Sequence, residues 1–101
     1  MVAIAKDQDK CETVARILKA MGHPIRLQIV AILCEEDTHV GAMAERIGSA
    51  QAVVSQQLGI LRMRGLVSRR RDAGRAVYSL AEPRLRQLVG CMEGCRVVKS
   101  A

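Results

Sequence analysis

Two sets of residues in this 101-residue chain have types and spacings that could do chemistry. The first is the cysteines, Cys11, Cys34, Cys91 and Cys95. Cys91 and Cys95 stand at i and i+4 and would share a helix face. Cys34 follows Val30 by four residues and Leu27 by seven, which places the three on one side of an apolar run. Thiolates from Cys34, Cys91 and Cys95, with Cys11 as a further donor, suit soft ions such as As(III), Cd(II) or Pb(II), because polarizable sulfur prefers soft acids. Alternatively, Cys34 pairs with a late cysteine through a disulfide or polysulfide bridge on oxidation or persulfidation. A bridge between Cys91 and Cys95 themselves is disfavoured, since parallel Cβ vectors on a helix strain it. The bland alternative for each is a small apolar core residue, and Cys11 fits it as well as it fits a donor role. No C-x-x-C occurs, which removes the usual dithiol redox motif and zinc-knuckle spacing. His23 and His39 are isolated, and His23 reads most simply as a helix-start residue before Pro24.

The second set is cationic. Net charge is +6, and it is concentrated: residues 62–75 hold Arg62, Arg64, Arg69, Arg70, Arg71 and Arg75 against Asp72 alone. A focused patch of this kind suits a polyanionic partner, and arginine in particular suits phosphate and base edges. No βαβ pattern and no nucleophile–base constellation accompanies it, so an enzyme is not expected.

The elements that must position these groups read mainly as helices. A first helix, from about Asp9 to Met21, would carry Cys11, Val14, Ala15, Leu18 and Met21 on one apolar face. A second starts at His23-Pro24, where proline fits a first turn. Its run IRLQIVAILC is apolar nearly all round, which predicts a central, buried helix ending at Glu35-Glu36-Asp37. Thr38 can cap a short third helix bearing Val40, Met43, Ala44 and Ile47, stopped by Gly48. Ser49 can cap a fourth, Ala50 to about Arg64, with Val53, Val54, Leu58 and Leu61 on its apolar side. Its other side, Gln51, Ser55, Gln56 and Arg62, is amide and hydroxyl rather than the Glu and Lys of an ordinary solvated face. Gly59 within it suggests close helix packing or a tolerated defect. LVSRRR and RAVYSL then flank Asp72-Ala73-Gly74, which reads as a β-hairpin with a three-residue link. Pro83 opens a last helix with Leu85, Leu88, Val89 and Met92 on one face.

Helix, tight turn and a second helix with a polar face make a helix-turn-helix, and the basic hairpin after it makes a wing. The expected class is therefore mainly α with a β-hairpin wing, in one domain over residues 1–101 with short tails at both ends. Tyr78 is the sole aromatic, so the core must be built from Leu, Ile, Val, Ala and Met. A chain this small suits a core shared between two copies. No apolar run approaches the length of a transmembrane helix, and the apolar start MVAIA is too short for a signal peptide. The chain reads as cytoplasmic, where structural disulfides are disfavoured.

LKAMGHPIRLQIVAIL and SAQAVVSQQLGILRMRGLVSRRRDAGRAVYSL resemble the opening helix pair and the recognition helix and wing of the ArsR/SmtB family of repressors. The resemblance spans roughly residues 13–90. It implies a cytoplasmic homodimer, joined through the first and last helices, that binds double-stranded operator DNA. It further implies release when a metal, metalloid or thiol-reactive signal acts on the dimer. The family's clustered arsenic-type cysteines are missing from HVGAMAERIG, and PRLRQLVGCMEGC lacks its zinc pattern. The layout is similar to the family's persulfide- and redox-responsive branch, with Cys34 about one turn later and Cys91 and Cys95 earlier than usual.

On this reading Gln51, Ser55 and Gln56 meet bases or nearby phosphates in the major groove. Gln57 is a weaker candidate, because it turns to the other side. Ser49 joins the helix-start N–H groups on phosphate, and Arg62 meets the backbone. Arg69, Arg71 and Arg75 of the wing reach phosphate or the minor groove, while Arg70 alternates to the opposite strand face. A symmetric dimer implies an inverted-repeat operator, with affinity that falls steeply with salt. A winged-helix module with purely structural cysteines is the alternative to an inducible repressor.

Overall fold

The computed structural model describes residues 3–93. After a 3-10 turn over Ala3–Lys6, helix α1 spans Gln8–Met21. Its start is fixed by Asp7, whose Oδ1 accepts from the Lys10 N–H at 3.0 Å. Helix α2, Pro24–Glu35, follows after a 104° bend. His23 Nδ1 accepts from the Ile25 N–H at 3.1 Å, so the residue before the proline is the cap that starts this helix. Helix α3 is Val40–Ile47, and helix α4 is Gln51–Met63. Strands β1, Val67–Asp72, and β2, Arg75–Leu80, form the antiparallel hairpin. Helix α5, Arg84–Glu93, begins one residue after Pro83. As its all-round apolarity predicts, α2 is central: it packs against α1, α3, α4, α5 and β2.

The caps of α3 and α4 both differ from expectation. His39, not Thr38, caps α3, its Nδ1 accepting from the Ala42 N–H at 3.2 Å. Thr38 is instead extended backbone, exchanging two hydrogen bonds with Tyr78. Ser49 does not cap α4 either. Gly48 takes a left-handed conformation, φ +80°, and the N–H groups of both Gly48 and Ser49 return to the Ala44 carbonyl. Ser49 thus closes α3, one residue too early to serve α4, whose N-cap is Ala50 without a side-chain bond.

The hairpin link is two residues rather than three, because Asp72 pairs with Arg75. Ala73 and Gly74 both have positive φ, +51° and +80°, as the twist-matched two-residue turn demands.

The core is aliphatic with methionine: Ile29, Val30, Leu33, Met43, Val54, Leu58, Leu61 and Leu85 are fully buried. In α1 the chain's own core takes Ile17, Ala20 and Met21, so the expected face is only partly used. Ala15 is exposed and Leu18 is 48 % exposed. The helix carries two apolar faces, and its own chain covers one. In α5, Leu85 and Val89 are buried whereas Met92 remains 41 % exposed. Gly59 faces open space, so no close packing within this chain explains it. Among the described residues no single helix is long and apolar enough to cross a membrane.

Candidate nucleic-acid interface

Helix α4 sits on α2 and α3 through Val54, Leu58 and Leu61, and its remaining surface is set by their periodicity. Gln51, Ser55, Gln56, Gly59 and Arg62 are exposed. None of these side chains bonds to another described residue. Val53, expected with the apolar side, is 39 % exposed. The start of α4 comes down closely on α3: a Cβ at Gly41 would lie 3.5 Å from Gln51 Nε2 and 3.3 Å from His39 Nδ1. The outer side of α4 therefore presents amide and hydroxyl groups on a rigid helix, in an order suited to base edges.

Gln57 differs. It is half-buried, and its Oε1 accepts from Arg26 Nε at 2.8 Å. That same guanidinium donates through Nη1 to the Ala20 carbonyl at 3.1 Å. Gln57 is thus occupied on the inner side and is not brought to the outer polar face.

The wing register decides which arginines share a face. Arg69 pairs with Tyr78 and Arg71 with Ala76, on the side of Val67 and Leu80. Arg75 pairs with Asp72, and Arg70 with Val77, on the other side. The expected grouping of Arg75 with Arg69 and Arg71 is corrected, because the two-residue turn shifts the alternation. Arg70 is held by Asp37 in an ion pair of 3.0 Å. Arg71 donates to the Gly74 carbonyl at 3.2 Å, folding over the turn. The side chains of Arg62, Arg64 and Arg69 make no bond to any described residue.

Arg75 Nη1 lies 3.0 Å from His39 Nε2. His39 Nδ1 already accepts the α3 cap bond, so a neutral ring carries its proton on Nε2. Two donors then face each other, and the contact does not tie Arg75 down. An acceptor oxygen, such as one from phosphate, could take both N–H groups. In sequence His39 is only an isolated histidine; its place just before VGAMAERI is the signal for a cap.

The cysteines are dispersed. Cys34 is half-buried at the C-terminal end of α2, and its carbonyl accepts from Arg86 Nη1 of α5 at 2.8 Å. Burial is the main cause that pushes its thiol above the ordinary range; nearby Arg86 opposes this, and Glu93 and Glu35 add to it. The face of α5 turned to Cys34 is thus that of Arg86 and Glu93. Cys91 is exposed and, five residues on from Arg86, lies about 140° round the helix from it. Cys11 Sγ donates to the Ile4 carbonyl at 2.8 Å, pinning the N-terminal turn to α1. Cys95 lies outside the described residues. Among the described residues no three His, Cys, Asp or Glu side chains converge as a metal site.

The family model described as "Bacterial regulatory protein, arsR family" matches residues 23–69. The biofilm growth-associated repressor of Xylella fastidiosa is 39 % identical over 85 residues, covering 84 % of this chain and 75 % of that protein. The crystal structure of the transcriptional repressor BigR from Xylella fastidiosa superposes with a TM-score of 0.85 at 35 % identity, covering 95 % of this chain and 100 % of that one. The homodimeric winged helix-turn-helix DNA-binding domain of a possible ArsR-family regulator from Mycobacterium bovis gives a TM-score of 0.71 at 28 % identity, covering 92 % and 84 %.

Proposed function

Since this chain belongs to the arsR family of bacterial regulatory proteins, we propose that it is a homodimeric repressor that grips operator DNA with α4 and the wing and lets go on a thiol-directed signal. The observation that carries the DNA reading is the exposed Gln51, Ser55 and Gln56 face with Arg62 and Arg69, whose side chains bond to no described residue. Amides and hydroxyls discriminate bases by hydrogen bonding, and the arginines add sequence-independent attraction to phosphate. Arg75 and His39 supply a further pair of donors to the backbone. The relatives point the same way, being named repressors or DNA-binding domains.

Assembly of two copies is supported by the uncovered side of α1, where Leu18 and Ala15 lie open, and by Met92 on α5. Pairing these faces would continue the core across a two-fold axis. It would also set the two α4 helices at a fixed separation, which successive major grooves must match.

The sensing step centres on Cys34, at the seam where the last turn of α2 meets α5. Its burial and raised pKa keep it as a thiol at neutral pH, and therefore slow to react unprompted. A persulfide donor would hand its outer sulfur to one thiol and leave as a thiol; the second thiol would then displace hydrosulfide, and the resulting disulfide from Cys34 to Cys91 or Cys95 would re-set the α2–α5 seam and with it the dimer. The candidate partners of Cys34 are Cys91 and Cys95, of the same chain or of the second copy.

The test is release. Reduced protein is titrated by fluorescence anisotropy onto a duplex it has enriched from a random-sequence pool. A persulfide donor, As(III) and Cd(II) are then added separately. Release by the persulfide donor, reversed by a reductant and lost in Cys34→Ser, is the expected result. Release by an ion, reversed by a chelator, would replace the thiol switch with thiolate coordination. Binding unaffected by all three would make the cysteines structural.

A further inference from the structure

We infer that Arg26 is a positioning residue for DNA binding, holding the recognition helix to the end of α1, and that Gln57 is its anchor rather than a reader of DNA. This rests on the proposed reading that α4 contacts DNA.

Arg26 belongs to α2, the helix packed against both α1 and α4, and its guanidinium reaches both. One arm takes Gln57 Oε1 at 2.8 Å, midway along α4. Another takes the carbonyl of Ala20, in the last turn of α1, at 3.1 Å. That carbonyl is one of the four at a helix end that lack a partner within the helix. A cation there also meets the negative end of the helix dipole. Both bonds are charge-assisted and directional, and the rigid fork of arginine makes them together. Lysine has the charge without the fork.

The consequence is mechanical. α1 carries the uncovered apolar face with Leu18, and α4 carries the polar face with Gln51, Ser55 and Gln56. α1 stands at 104° to α2, the helix on which α4 packs. Arg26 bonds to both α1 and α4, so the angle at which α4 is held relative to α1 depends in part on its guanidinium. A change in the pairing of two copies reaches the DNA-reading helix along this link.

The experiment is a double-mutant cycle in the full chain, with Arg26→Met, Gln57→Met and both together, plus Gln57→Glu. DNA affinity is measured on the enriched duplex, and dimer assembly and thermal unfolding are measured alongside. Gln57→Met is expected to bind about tenfold more weakly, the loss of one charge-assisted bond, and Arg26→Met, which also gives up the Ala20 carbonyl, at least as weakly, while both remain dimeric. The double variant should bind no worse than the weaker-binding single one. Gln57→Glu keeps the acceptor, and should stay within about threefold of the unchanged protein. Losses that multiply in the double variant would overturn the link, as would a Gln57→Glu loss equal to that of Gln57→Met, which would make Gln57 a direct reader. Should Arg26→Met fold poorly, Arg26→Lys replaces it, with a loss expected on affinity but not on assembly; unchanged affinity would sink the inference. If the unchanged protein enriches no duplex at all, the DNA reading itself fails and takes this inference with it.

Discussion

α1 and α4 are helices of similar length in one small fold, and what each leaves uncovered differs. On α1 the exposed apolar groups are Ala15 and Leu18, among the charged Asp9, Lys10, Glu12, Arg16 and Lys19. On α4 the exposed groups include Gln51, Ser55, Gln56 and Arg62, polar side chains that bond to no described residue, beside the exposed Val53 and Met63. Both helices complete the same core with a different stripe, α1 with Ile17, Ala20 and Met21, α4 with Val54, Leu58 and Leu61. On the proposed reading, one surface meets a second copy and the other meets DNA.

Substitutions on the two surfaces should separate these roles. The largest effect is expected for Leu18→Asp. A charge placed in an apolar contact between copies costs several kcal/mol, roughly 100-fold or more in any affinity that needs the pair. Sedimentation should show monomer, and anisotropy should show that DNA binding is gone. The melting temperature at low concentration should move little, since Leu18 is 48 % exposed within one chain. On the opposite surface, Gln56→Ala should leave the dimer intact and relax sequence preference at particular positions of the enriched duplex. A bidentate amide–base pair is worth about 1–3 kcal/mol of discrimination. Arg69→Ala should weaken binding evenly across sequences. It removes one phosphate partner from each copy, so the slope of log affinity against log salt should flatten by about 2 for the dimer.

A smaller effect concerns Cys34. Burial raises its pKa, so the folded chain holds that proton more tightly than the unfolded chain does. The stabilisation this linkage brings is complete below the unfolded thiol pKa and is lost as pH rises through the folded value. Cys34→Ser should therefore flatten the alkaline fall in stability, and alkylation of Cys34 should rise at higher pH than that of a small-molecule thiol. Smallest is the wing turn. Ala73 occupies a left-handed conformation that alanine disfavours, so Ala73→Asn should stabilise the chain by about 0.5–1 kcal/mol, read as a melting temperature a few degrees higher.

Periodicity makes the five helices and the hairpin legible, because each must bury one stripe and the stripes have period 3.6 or 2. It also finds the polar face of α4, since that face is whatever the core stripe leaves over. It fails where a single residue arbitrates between neighbours. Thr38 and Ser49 are good caps by type, yet one is taken by Tyr78 and the other by the end of α3. The turn length depends on Ala73 adopting positive φ, which its type argues against. Arg26 and Gln57 lie thirty-one residues apart, and nothing local marks them as partners. The first helix reads as having a single apolar stripe, since a pattern does not say which part of it stays inside.

The most direct measurement is selection of duplexes from a random-sequence pool by the reduced, full-length protein, with the enriched pool sequenced. Expected is an inverted repeat whose half-sites lie about one helical turn apart, matching two α4 helices related by a two-fold axis, with binding that weakens steeply as salt rises. A pool that stays random, or enrichment of a single unrepeated half-site with no dimer in solution, would contradict it.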